Sequence, residues 1–83
     1  MAEITMYTTT WCPDCRMAKL FLDRRGIAYD EVNIETTPGA AQLVMAANQG
    51  KRKVPTFVAG GETFHCSPFN QKLLEGKLAR WLK

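Results

Sequence analysis

The segment Cys12-Pro13-Asp14-Cys15 constrains this chain more than any other feature. It follows Ile4-Thr5-Met6-Tyr7, an alternating run of strand formers that predicts a strand over residues 3–8. It also opens a stretch that predicts a helix over residues 13–25. Pro13 suits a first helical turn, where its missing N–H is not needed, and Gly26 is a natural stop. Met17, Leu20 and Phe21 fall on one face of that helix, which is expected to be its buried stripe. Two cysteines spaced this way at a helix start turn toward one another, so a disulfide closes with little backbone movement. The first sulfur sits where helix N–H groups lack partners and the dipole is positive, which stabilises a thiolate. The thiolate is the nucleophile of disulfide exchange. Cys12 is therefore expected to attack, and Cys15, more protected inside the first turn, to resolve.

The rest of the chain supplies a frame for that motif. Residues 27–34 alternate around Tyr29, Val32 and Ile34 and predict a second strand. Thr37-Pro38-Gly39 offers a cap and a first-turn proline for a helix over residues 40–49, with Leu43 and Ala47 on one side and Gly50 ending it. Thr56–Ala59 and Glu62–Phe64 read as strands joined by a Gly60-Gly61 hairpin turn. Ser67-Pro68 again pairs a cap with a first-turn proline, opening a third helix over residues 68–81 with Leu74, Leu78, Trp81 and Leu82 as its apolar stripe. The order strand-helix-strand-helix-strand-strand-helix gives an α/β fold. The first two strands are parallel through a right-handed crossover, the last two form an antiparallel hairpin, and three helices cover a four-stranded mixed sheet.

Composition narrows the class. Eighty-three residues with 46% hydrophobic and 23% charged content make one small globular domain, expected to span 1–83. The apolar run Leu43 to Ala47 is too short to cross a bilayer, and no secretory signal is visible, so a soluble cytoplasmic monomer is expected. Three cysteines do not suit a disulfide-stapled secreted scaffold. The net charge of +3 is uneven: residues 1–50 carry four basic and six acidic side chains, and residues 51–83 carry seven and two. Lys51-Arg52-Lys53 concentrates that excess and is suited to carboxylates of a thiol cofactor or an acidic partner. Without an aromatic strand face or recognition helix, it does not indicate nucleic acid.

With Trp11-Cys12-Pro13-Asp14-Cys15 after strand one and Lys53-Val54-Pro55-Thr56 before strand three, the chain resembles the glutaredoxin family of the thioredoxin-fold superfamily over essentially its whole length. Thr5 through Cys12, Gly26 through Val32, and Asn48-Gln49-Gly50 resemble the mycoredoxin-like branch, with the redoxins that serve ribonucleotide reductase as near relatives. The resemblance implies a thiol–disulfide oxidoreductase with Cys12 as nucleophile and Cys15 as resolving cysteine. It implies that Pro55 is a cis-proline lying against the disulfide. It implies that the backbone of Val54 pairs with the bound thiol peptide like a short added strand; Trp11, Pro13 and Lys53, beside these segments in sequence, are expected as further substrate contacts. No cofactor is expected to be tightly bound. The substrates implied are disulfide-containing proteins or mixed disulfides of low-molecular-weight thiols, with a small thiol or a thioredoxin reductase as electron donor. The glycine-rich segment that holds glutathione in many members is replaced here by Phe64-His65-Cys66-Ser67-Pro68.

Several residues keep two readings. Asp14 either opposes the Cys12 thiolate by its charge or is a solvated first-turn acid. Trp11 is an apolar landing surface or edge packing. Cys66 is expected near the site but beyond disulfide reach of Cys12, which needs Cα atoms within about 7 Å. The rival function is a metal-binding domain with Cys12, Cys15 and Cys66 as ligands and His65 as a fourth.

Overall fold

The computed structural model describes residues 2–82, so Met1 and Lys83, the ends of the expected 1–83 unit, lie outside the described residues. The expected element order is present: β1 (Ile4–Thr8), α1 (Pro13–Arg24), β2 (Asp30–Asn33), α2 (Ala40–Ala47), β3 (Thr56–Ala59), β4 (Glu62–His65) and α3 (Gln71–Lys77), with a 3-10 turn at Ala79–Trp81. The four strands lie in the order β2-β1-β3-β4. β1 is parallel to β2 and antiparallel to β3, and β3 and β4 form the hairpin. Gly60 and Gly61 turn that hairpin with φ of 56° and 84°, a backbone that residues with a Cβ resist.

Strand alternation sorts the apolar side chains to two faces. Ile4 and Met6 pack with Ala18, Leu22, Phe57, Leu74 and Leu78 under α1 and α3. On the other face Tyr7 and Val32 pack with Ile34, Ala40 and Val44 under α2. A seven-residue helix such as α3 is not stable alone. Burial of Leu74 and Leu78, each contributing about 1.5–3 kcal/mol, holds it to the sheet.

Tertiary partners move several expected features. The buried stripe of α1 is Cys15, Ala18 and Leu22, with Phe21 at its edge, whereas Met17 and Leu20 are about half exposed. The seating of Cys15 against the sheet sets the helix phase, and the small Ala18 one turn later allows close approach. The expected start of the second strand at Ile27 moves to Asp30. The Ile27 N–H is bonded to the Leu22 carbonyl at 2.9 Å and the Gly26 N–H to that of Asp23 at 3.1 Å, so α1 closes on a left-handed Gly26. α2 begins at Ala40 after Gly39 at φ 83°, not after a Thr37 cap, and it buries Val44, leaving Leu43 and Ala47 exposed. The third helix begins not at Pro68 but at Gln71. The Phe69 and Asn70 amides are bonded to Asp14 and Cys66, and the Asn70 side chain caps α3 by accepting the Leu73 N–H at 3.1 Å.

Candidate active site

Three segments meet at the N-terminus of α1: the Cys12–Cys15 turn, the Lys53-Val54-Pro55 segment entering β3, and the Cys66–Asn70 loop leaving β4. The approach to the first is pinned. The Asn33 amide donates to Thr10 Oγ1 at 3.1 Å, and the Thr10 N–H donates to Glu35 Oε1 at 3.2 Å. Cys12 then takes an extended backbone as the N-cap of α1, and its sulfur accepts the Cys15 N–H at 3.0 Å. Cys12 and Cys15 are joined as a disulfide with Cα atoms 5.1 Å apart. Cys12 is 7% exposed and Cys15 1%, so Cys12 is the more accessible of the two.

The second segment lies against that sulfur. The Val54–Pro55 peptide is cis, as the resemblance implied, and the Val54 carbonyl oxygen is 3.7 Å from Cys12 Sγ. A buried polar pair fixes this segment. Thr56 Oγ1 donates to the Lys53 carbonyl at 2.6 Å, and the Asn48 amide at the end of α2 donates to Thr56 Oγ1 at 3.1 Å and to the Val44 carbonyl at 2.7 Å. Sequence reasoning missed Asn48 and Thr56 as positioning groups. The only signal was an amide residue at a helix end and a threonine after the proline, and neither names its partner.

An open groove of about 230 Å³ continues from Lys53 and is lined by Ala47, Asn48, Gln49, Lys51, Lys53 and His65. Lys51 and Lys53 thus share a concave surface that reaches the active-site segment at Lys53, next in sequence to Val54, whereas Arg52, between them in sequence, is not part of its lining. Trp11 is 82% exposed, with the Arg16 guanidinium 6.0 Å from its ring centroid. It is a displayed apolar surface beside Cys12, and the edge-packing reading is set aside. Pro13 is exposed as the first residue of α1, and Pro55 is buried against the core.

The third segment separates the remaining candidates. Cys66 is fully buried in the core cluster under α1 and α3, and its sulfur accepts the Asn70 N–H at 3.2 Å. Burial pushes its thiol above the ordinary cysteine value. The hydrogen bond with the Asn70 backbone pulls the other way, and the Asp14 charge adds to the rise. His65 Nδ1 accepts the Ser67 N–H at 3.3 Å. The ligand set of the metal-binding rival is therefore not assembled, and among the described residues no group of three or more His, Cys, Asp or Glu side chains is placed to hold a metal ion. Asp14 is neither free to face Cys12 nor left to solvent: its carboxylate oxygens meet the Phe69 N–H at 3.1 Å and the Ser67 hydroxyl at 3.5 Å.

A disulfide at the start of the first helix, facing a cis-proline at the start of an antiparallel strand, defines a thiol–disulfide oxidoreductase of thioredoxin-like fold. The glutaredoxin family model matches residues 4–64, and the chain belongs to that family. A Mycobacterium tuberculosis protein named as a glutaredoxin is 49% identical over 55 residues, a stretch covering 66% of each chain. Mycoredoxin 1 of Corynebacterium glutamicum is 32% identical over 74 residues, covering 89% of this chain and 91% of that one. Among solved structures, the glutaredoxin-like protein NrdH-redoxin from Escherichia coli superposes with a TM-score of 0.74 at 29% identity, covering 88% of this chain and 91% of that one. Mycoredoxin 1 carries the name of the branch that the Thr5–Cys12, Gly26–Val32 and Asn48–Gly50 segments resemble.

Proposed function

We propose that this glutaredoxin, acting as one domain over residues 1–83, reduces mixed disulfides between proteins and an anionic low-molecular-weight thiol, and protein disulfides by the same chemistry. The observation that carries the reading is the contact made with the Cys12 sulfur by Val54, next in sequence to Lys53, which lines a groove with Lys51. In the reduced enzyme the Cys12 thiolate attacks one sulfur of the substrate disulfide. A Cys12–substrate disulfide forms, the old S–S bond breaks, and the other sulfur leaves as a thiolate. The Cys15 thiolate then attacks Cys12 and expels the second substrate sulfur, leaving the Cys12–Cys15 disulfide of this structure. Two electrons have passed from the enzyme to the substrate. A small thiol or a thioredoxin reductase returns them, and no tightly bound cofactor is needed.

Each expected contact has a role in this scheme. The N–H and C=O of Val54 suit an extended thiol peptide laid alongside as an added strand. Pro55 limits how closely that strand approaches, and Lys53 draws its carboxylate. Pro13 keeps the first turn of α1 open to the incoming sulfur, and Trp11 offers an apolar surface to protein substrates. No helix among the described residues is long and apolar enough to cross a membrane. A cytoplasmic monomer maintaining thiol redox balance is the setting proposed.

The test offers the oxidised protein two reducing systems, a carboxylate-bearing tripeptide thiol and a thioredoxin reductase with its nicotinamide donor, and repeats both with Lys51, Arg52 and Lys53 neutralised together. The expected result is turnover with the anionic thiol that falls several-fold in the triple variant at low salt. The deficit should shrink toward about 0.1 M salt, where exposed charges are screened beyond about 10 Å. A triple variant indistinguishable from wild type at low ionic strength would remove the groove from the substrate path.

A further inference from the structure

Asp14 lies between the two redox cysteines yet binds a different part of the molecule. Its Oδ1 accepts the Phe69 N–H at 3.1 Å and its Oδ2 lies 3.5 Å from the Ser67 hydroxyl, which donates to it. Both partners are more than fifty residues away in sequence, on the loop that leaves β4. That loop is tied at two further points. The Cys66 N–H donates to the Pro55 carbonyl at 2.9 Å, and the Ser67 N–H donates to His65 Nδ1 at 3.3 Å. Val54, next to Pro55, has its carbonyl 3.7 Å from Cys12 Sγ. The contacts close a ring that runs from the disulfide turn through Asp14 to Ser67 and Phe69, on through Cys66 to Pro55, and back to Cys12. His65 belongs to the same loop and lines the groove with Lys51 and Lys53.

We infer that Asp14 is a positioning residue whose carboxylate tethers the Ser67–Phe69 loop to the first turn of α1 and so holds the His65 wall of the groove at a fixed distance from the Cys12 sulfur. The inference rests on the reading of this groove as the substrate site. A charged acceptor suits the task, because a carboxylate oxygen binds a backbone N–H more strongly than a neutral one does. Two oxygens on one planar group also let a single side chain take both loop donors. The position in the motif then has a structural meaning: the residue between the cysteines fixes the loop that leaves β4.

The experiment compares wild type with Asp14→Ala and Asp14→Asn by two readouts. One is amide hydrogen exchange at Phe69 in the oxidised protein. The other is single-turnover reduction of a glutathionylated peptide by pre-reduced enzyme, read as the half-saturating concentration and the limiting rate. Asp14→Ala is expected to lose protection at Phe69. It should raise the half-saturating concentration roughly 2- to 10-fold, the loss of about one hydrogen bond, with a much smaller change in limiting rate. Asp14→Asn keeps an oxygen for Phe69 without the charge, and is expected to recover both the protection and most of the affinity. If Asn and Ala behave alike, moving the pH midpoint of Cys12 alkylation equally, the residue acts through charge and the inference is overturned. Equal Phe69 exchange in wild type and Asp14→Ala overturns it as well. A wild-type enzyme that does not react with the peptide overturns the substrate reading instead, and Phe69 exchange still decides the tether.

Discussion

Cys12 and Cys66 share a local bond in opposite surroundings. Each sulfur accepts a backbone N–H at the start of a helix, Cys12 from Cys15 at 3.0 Å and Cys66 from Asn70 at 3.2 Å. Cys12 caps a helix of twelve residues at the surface of the site, whereas Cys66 lies beside a helix of seven, closed off among Leu74, Leu78 and Phe57. Donation from an N–H favours a thiolate in both places, and desolvation opposes it. At Cys66 burial outweighs the hydrogen bond, and the thiol is pushed up. Cys12, at 7% exposure, is less sealed than Cys66, which is fully buried. A helix start thus does not by itself make a reactive thiol. It must also be accessible, and Cys66 is closed off by the core cluster it belongs to.

The two cysteines should differ most in what their loss does to activity. Cys12→Ser is expected to reduce disulfide reduction to the uncatalysed background, because a hydroxyl is not ionised at neutral pH and forms no exchangeable bond with sulfur. Cys66→Ser is expected to keep activity within a few-fold and to lower unfolding stability by about 1–3 kcal/mol, since a more polar and smaller hydroxyl replaces a fully buried thiol packed in the core cluster. Steady-state reduction of a mixed disulfide, with denaturant unfolding on the same samples, measures both. Loss of activity in a folded Cys66→Ser protein would make Cys66 part of the redox cycle.

A smaller effect separates the two sulfurs by reactivity. In Cys15→Ser, the pH profile of Cys12 alkylation is expected to have a midpoint below about 8.5, the free cysteine value. Cys66 in the same native protein is expected to react on the order of ten-fold or more slowly near neutral pH, and to match a free thiol only in denaturant. Peptide-resolved mass spectrometry of the alkylated protein reads the two sites together. A Cys12 midpoint at or above the free value would remove the helix-terminus argument.

How much of this was legible in the residues depends on whether the determinant was local. Pro13, Gly26 and Gly60-Gly61 act on their own backbone, and the element order they punctuate is the order found. The paired cysteines could be read because their chemistry and spacing lie in one short segment, whereas the placing of Val54-Pro55 against them rested on the family resemblance. Three misreadings share a different cause: a backbone amide or a helix face was claimed by a distant partner. Ile27 looks like strand, but its N–H closes α1 on Leu22. Ser67-Pro68 looks like a helix start, but Asp14 and Cys66 take the next two amides. Met17, Leu20 and Phe21 look like a buried stripe, but the seating of Cys15 rotates Ala18 and Leu22 inward in place of Met17 and Leu20. Asp14 was weighed only as a charge, because nothing beside it in the sequence names a loop more than fifty residues on.

The smallest expected effect is on alkaline stability, where the buried thiol alone should register. The Cys66 thiol is raised in the folded protein, so as pH rises past about 8.5 the unfolded chain loses the Cys66 proton while the folded protein keeps it. The folded state then binds more protons than the unfolded state, and stability falls with rising pH. The contribution of Cys66 is fully present below the unfolded value and is lost as pH climbs through the folded one. Its slope is bounded by one proton, about 1.4 kcal/mol per pH unit. Cys66→Ala has no proton to lose, so its stability between roughly pH 8 and 10 should fall less steeply than that of wild type. Both proteins are measured oxidised, so that the Cys12–Cys15 disulfide does not titrate in either. Denaturant midpoints across that range give the two slopes directly. Parallel slopes would mean that Cys66 ionises as easily in the fold as in the open chain. The two cysteines would then differ only in what can reach them, and not in how readily each gives up its proton.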